Sequence, residues 1–198
     1  MLQDVWLAID ERRYEQAESL LRGNEELFPT RAGQMALGYI LAHTGRHAEA
    51  RKVFDNLRQQ HKDSDWEHIA VHQLGRVERL AKQHGAALDL FREERRLIEA
   101  GGQDPHKLAT SDIEMAQCYL ALEQFDAAKS ALDEALSFAK THDDPETLGR
   151  TERVLADLSL AEGHPDAAKL HLERALVAFK ESEDEFAVRE LETQLADL

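Results

Sequence analysis

A single cysteine, Cys118, stands in this chain of 198 residues, so no disulfide framework can hold it together. Proline and glycine are sparse, 4 and 10 residues, and they fall at intervals, which excludes collagen-like and low-complexity architectures. No segment approaches the roughly 18 consecutive apolar residues of a membrane span. The start, Met1-Leu2-Gln3-Asp4, has no basic region, and the apolar run Val5 to Ile9 is too short for a signal peptide. Lysine and arginine number 24 against 39 acids, giving a net charge of −15 without any basic block. Non-specific nucleic-acid binding relies on clustered cations that release counterions, so no nucleic-acid partner is expected. These absences together predict a cytoplasmic protein with no membrane partner. A Gly-rich phosphate loop, a Gly-x-Ser-x-Gly elbow and a Cys-x-x-Cys pair are also missing, and neither a cofactor nor catalysis is expected.

What is present favours helices: Leu, Ala, Glu, Arg and Lys dominate. A short phrase recurs along the chain. It reads Tyr14-Glu15-Gln16-Ala17, His47-Ala48-Glu49-Ala50, His84-Gly85-Ala86-Ala87, Phe125-Asp126-Ala127-Ala128 and Pro165-Asp166-Ala167-Ala168. Its last alanine falls at 17, 50, 87, 128 and 168, so the spacings are 33, 37, 41 and 40. Four residues after each alanine comes Leu21, Phe54, Phe91, Leu132 or Leu172, and twelve before it Val5, Gly38, Gly75, Ala116 or Ala156. Small residues where two helices cross let their axes approach to the short end of roughly 8–10 Å. The large residue one turn later is expected to fill the gap towards the next hairpin.

This pattern resembles the tetratricopeptide repeat, and the likeness covers essentially the whole chain. The second unit carries it most fully, with Leu37-Gly38, Gly45-Arg46-His47, Ala50 and Phe54, and Pro29 closes the first. The spacings of 40 and 41 are similar to the longer variant of the repeat. The resemblance implies an all-α, right-handed α-solenoid of about five helical hairpins. Their expected bounds are 1–29, 30–63, 64–102, 104–142 and 144–181, followed by a capping helix over 184–198, all in one domain.

Punctuation fits those bounds. Ser64-Asp65-Trp66-Glu67 reads as a capping box opening the third hairpin. Gly101-Gly102 stops a helix, and Asp104-Pro105 and Asp144-Pro145 each start one. In the last helix Phe186, Leu191, Leu195 and Leu198 line one side, as expected of an element that covers an exposed end. A single hairpin buries too little apolar surface to offset its own ordering entropy, so stacking is required.

The five units serve as controls for one another. Cys118 shares a column with Leu7, Ile40, Val77 and Leu158 and reads as a small core residue rather than a reactive thiol. The column one residue earlier varies freely: Trp6, Tyr39, Arg76, Gln117, Asp157. Four residues before that lies Leu2, Met35, His72, Ile113, Arg153. In tetratricopeptide arrays such positions of the first helix line the concave surface, so Met35, Tyr39, His72, Arg76, Arg79, Gln117 and Arg153 form the expected groove. His72, Arg76 and Arg79 recur at helical spacing and share one side of a helix. Two readings stand for these arginines: a grip on an acidic or carboxylate-bearing segment, or pairing with neighbours such as Glu78 or Glu114. His68 and His72, four apart, lack the further ligands that zinc needs, and no metal is expected. His43, His47, His84, His142 and His164 read as surface or capping residues.

The expected function is that of a protein–protein interaction scaffold, binding a peptide or partner helix in its groove. The family's chaperone-tail binders use lysine and asparagine on these faces. The two asparagines here, Asn24 and Asn56, lie elsewhere, which places that clamp in doubt. The alternatives are a peptide- or ligand-sensing module cut from a larger bacterial-type regulator, and a hydrolase using His72 with Arg76 and Arg79. A homodimer through the terminal helices is a further expected arrangement.

Overall fold

The computed structural model describes residues 2–196 and Leu198. Among these residues the regular structure is entirely helical: α1 (Leu2–Asp10), α2 (Tyr14–Arg22), α3 (Arg31–His43), α4 (His47–Gln60), α5 (Glu67–Leu80), α6 (His84–Ala100), α7 (Pro105–Ala121), α8 (Phe125–His142), α9 (Pro145–Ala161), α10 (Pro165–Glu181) and α11 (Glu185–Ala196). The chain divides within α6 into two compact units, Met1–Leu97 and Ile98–Leu198.

In the first unit α1 packs on α2, α3 on α4, and α4 on α5, while α3 also touches α1, α2 and α5. One core joins them, with Val5, Leu21, Ile40, Phe54, Leu57 and Val77 buried together. In the second unit α7 pairs with α8 and α9 with α10; α8 and α7 also contact α9, and α11 lies on α10. Helices lengthen along the chain, from 9 residues in α1 and α2 to 17 or 18 in α7 to α10. At 3.6 residues per turn, the wide repeat spacings are therefore extra helical turns rather than longer loops.

In the second and third hairpins the small-residue column acts within the hairpin. A Cβ added to Gly38 would sit 2.3 Å from Phe54 Cζ, and one on Gly75 would sit 2.6 Å from Phe91 Cε1. Both phenylalanines are fully buried. Each ring thus occupies the space its own hairpin leaves open at the glycine, where the sequence suggested filling towards the next hairpin.

A second column is fixed by backbone geometry. The residue five before each anchor alanine adopts positive φ in all five hairpins: Arg12 at 55°, Gly45 at 77°, Lys82 at 61°, Glu123 at 58° and Gly163 at 81°. The left-handed region closes the three-residue turn, and only two of the five positions hold the residue that enters it without strain.

Helix starts carry their own signals. Asp104 accepts from the amides of His106 and Lys107 at 3.1 and 3.4 Å, and Asp144 accepts from Thr147 N at 3.0 Å. Thr30, after Pro29, accepts from Gly33 N at 3.1 Å. The expected capping box is shifted: α5 begins at Glu67, whose carboxylate accepts from Asp63 N at 2.8 Å, while Ser64 Oγ accepts from Trp66 N at 3.2 Å. Residues 65 and 66 remain a turn, because Glu67 is drawn inwards and also faces Arg58 at 3.5 Å.

Two further expectations change. Leu7 is 55% exposed, whereas Ile40, Val77, Cys118 and Leu158 in its column are buried. The reason is neighbourhood: α1 touches α2 and α3, while α3 is flanked on more sides. In α11 the packing side is Ala187, Val188, Leu191 and Leu195. Leu198 is half-exposed and Phe186 lies at the edge, since 187, 191 and 195 form the i, i+4 row that meets α10.

Ion pairs tie successive hairpins of the first unit. Glu18 of α2 takes Arg22 at 2.7 Å and Arg46 at 2.9 Å. Burial opposes its charge, but the two guanidinium hydrogen bonds outweigh that and hold its carboxyl below the usual range. A depressed carboxylate contributes stability above its unfolded pKa, and that contribution disappears as pH falls through the folded one.

Glu123→Gly is expected to raise unfolding stability by about 0.5–1 kcal/mol, since relief of left-handed strain exceeds the added chain entropy. Gly75→Ala should cost about 1–3 kcal/mol in a urea titration, because Phe91 has no free volume to move into. Unchanged stability in Gly75→Ala would show the helices able to spread.

Candidate functional site

The side-by-side helices α1, α3 and α5 of the first unit bring part of the expected groove together. Tyr39 on α3 meets the Trp6 ring of α1 edge-on at 6.0 Å and stacks on His43, one turn further along α3, at 4.2 Å. His43 stacks in turn on Tyr14 of α2 at 5.5 Å. From α5 the Arg76 guanidinium lies over the Tyr39 ring, its Cζ 5.2 Å from the centroid. A cation over an aromatic face is held by the ring quadrupole at about 0.5–1 kcal/mol where exposed and more where desolvated. Met35, one turn before Tyr39, is half-buried and packs against the same core.

His72 stands one turn before Arg76. Its Nδ1 lies 2.9 Å from Glu94 Oε1 of α6, and its ring tilts against Phe91 at 5.7 Å. Glu94 is only 3% exposed, and its Oε2 has no hydrogen-bond partner among the described residues. The contact fixes the orientation of the ring and leaves Nε2 as its second polar atom. Arg79 is half-buried on the same helix.

Two acids near these arginines have contacts of their own with other cations. Glu78 is bound by Arg51 of α4, through both Nε and Nη2. That pairing explains why Glu78 fills a column that is otherwise Ala8, Leu41, Tyr119 and Ser159. Glu114 is 3.6 Å from Arg150.

In the second unit Gln117 is half-buried on α7. Arg153, expected as a groove cation, reaches Glu190 of α11 at 3.3 Å. Asp157 keeps a solvent-facing edge, yet crowding by its surroundings holds its carboxyl above the usual range, with Arg153 pulling the other way. No group of three or more His, Cys, Asp or Glu among the described residues is arranged to hold a metal ion.

Sequence reasoning missed two members of the aromatic row. His43 was assigned to the surface and Tyr14 to the repeat phrase, and both stack in the row. The signal for His43 was its four-residue spacing from Tyr39, which puts both rings on one side of α3. His142, also read as a surface residue, stacks on Phe138 at 4.3 Å in the second unit.

Two family models bear on this arrangement, each described as a tetratricopeptide repeat, over residues 3–65 and 113–142. These matches support the tetratricopeptide-repeat family over those two stretches. Solved structures agree at the level of fold. The chain is similar to BtubC (BKLC) from P. vanneervenii, at 15% identity and a TM-score of 0.65, over all of this chain and 90% of that one. The nearly identical TPR-like repeats of a putative kinesin light chain from Podosopora anserina match at 18% identity and 0.59, over 83% and 92%. MamA 41-end from Desulfovibrio magneticus RS-1 matches at 18% and 0.56, over 90% and 93%. No curated protein matches the chain. A tetratricopeptide-repeat fold is that of a protein-interaction scaffold. No helix among the described residues is long and apolar enough to cross a membrane.

Removing His72 takes the ring nitrogen away from the buried Glu94 Oε1. His72→Ala is expected to cost about 3 kcal/mol on chemical denaturation. The double replacement His72→Phe/Glu94→Leu should cost less than the two single changes summed, because no charge is then left buried. Additive costs would show that the two side chains do not depend on each other.

Proposed function

We propose that the face shared by α1, α3 and α5 binds an extended peptide or partner helix whose contact segment carries a carboxylate beside an apolar or aromatic residue. The observation that carries this reading is Arg76 lying on Tyr39. Arginine stacked on an aromatic ring is a residue type that recognises carboxylates through its cationic, planar donor group. Arg79, one turn on, adds a second positive charge. His72, oriented by Glu94, adds the polar Nε2 of its ring for a backbone or side-chain group of the same ligand. Trp6 and Met35 supply the apolar end. Aromatic and arginine anchors are the residue types that dominate the energetics of protein interfaces. On a chain with net charge −15, a local pair of arginines selects an anionic segment that the rest of the surface repels.

A display selection of random peptides against the full chain is expected to enrich Asp or Glu next to an aliphatic or aromatic residue. Arg76→Glu/Arg79→Glu, at unchanged helicity, should weaken the selected peptides at least about tenfold, or roughly 1.4 kcal/mol. Peptides bound equally well by the double variant would move the binding site off this face.

A further inference from the structure

The net charge of −15 is not spread evenly along the chain. Residues 1–97, the first unit, hold 15 lysines and arginines against 16 acids, whereas residues 98–198, the second, hold 9 against 23. The first unit is therefore close to neutral at −1, and the second carries −14. Repulsion between two copies of the chain comes almost entirely from second units facing one another. A first unit facing a second unit meets no such barrier, and the Arg76–Arg79 face is attracted to it.

The second unit also carries a segment with the chemistry that this face takes. Glu181-Ser182-Glu183-Asp184-Glu185-Phe186 runs from the end of α10 into α11. Phe186 is 37% exposed, the one aromatic among the exposed large apolar side chains of the described residues. Glu183, Asp184 and Glu185 are exposed beside it. The corner is preformed: Glu183 holds a φ of 59°, and Asp184 caps α11 by accepting from Ala187 N at 3.0 Å. Glu185 meets Arg189 at 2.9 Å, but both side chains are largely exposed, and such a pair exchanges at little cost. Earlier corners supply the comparison. Phe28 packs against the core, and Trp66 lies under the Arg31 guanidinium at 4.1 Å. Solvating a link between helices needs charge alone, and an exposed phenylalanine beside three acids is not explained by it.

We infer that the Glu183–Phe186 corner of one copy docks on the α1–α3–α5 face of a second copy, joining chains head to tail. Phe186 packs beside Trp6 and Met35, and the neighbouring carboxylates pair with Arg76 and Arg79. The inference rests on that face taking a carboxylate beside an aromatic residue, and it names the chain itself as the partner. The two surfaces differ, so the contact is heterologous and does not close at two copies, unlike a two-fold dimer through the terminal helices. Association depends on ionic strength, because the pairing charges lie at the surface.

The test is sedimentation of the full chain over a concentration series at low and high salt. Mass is expected to rise with concentration past that of a dimer, and less so at high salt. Two variants break opposite sides of the contact: Arg76→Glu/Arg79→Glu and Glu185→Lys/Phe186→Ala. Each is expected to keep the wild-type circular dichroism and to need at least about tenfold more protein to associate. Arg76→Gln/Arg79→Gln serves where the charge reversal unfolds the chain. Mixed one to one, the two variants should form dimers and nothing larger, since only one intact face and one intact corner remain to meet. A wild type that stays monomeric would overturn the inference, as would a dimer that stops at two copies or association unchanged in Glu185→Lys/Phe186→Ala. A monomeric wild type that still binds display-selected acidic peptides through Arg76 would overturn this inference alone. Peptides indifferent to Arg76→Glu/Arg79→Glu would remove the reading of the face as well.

Discussion

Phe54 resting on Gly38, and Phe91 on Gly75, set how closely the two helices of a hairpin lie. Everything carried on those helices takes its position from that contact. A methyl group at either glycine would overlap a buried ring, so spacing and rotation of each pair are fixed together. Because α1, α3 and α5 are positioned in this way, side chains at one column of successive first helices come within contact of each other. Trp6, Tyr39 and Arg76 are such a column, and their stacking follows from the core beneath them.

The polar groups are arranged around the same frame. Glu18 with Arg22 and Arg46, Glu78 with Arg51, and Glu93 with Arg58 link second helices to their neighbours in the first unit. These acids are paired locally with cations of neighbouring helices. Surface pairs of this kind add little stability one by one, and their main effect is on which charges remain available. The two histidine–glutamate pairs, His72 with Glu94 and His171 with Glu152, do something different. Each orients a half-buried imidazole by an acid that water does not reach.

Repetition makes the departures informative. A column that is buried in every hairpin but the first marks an uncovered flank, as at Leu7. A column that is polar in every hairpin but the fifth leaves aliphatic side chains exposed there, as at Leu170 and Val177. Lengthening of the helices from α1 to α10 widens the later hairpins and gives the second unit faces that the shorter first hairpin lacks.

Composition and spacing by themselves determined the helical class, the repeat, the glycine column and the helix starts at Asp104 and Asp144. Those features are local: they depend on 3.6-residue periodicity, side-chain size and a capping oxygen within a few residues. The candidate site was legible only in part. Met35, Tyr39, His72 and Arg76 were found because they share a column or a helical face. The partners that define them were not, since Glu94 lies 22 residues from His72 and Arg51 lies 27 from Glu78. Nothing in a linear pattern says which of many acids meets which of many bases, as Arg153 pairing with Glu190 shows. The tertiary structure decided those pairings, the stacking of His43 in an aromatic row and the exposure of Leu7 and Phe186. All of them depend on what lies across a helix boundary, and distance between chain segments is set by packing rather than by sequence separation.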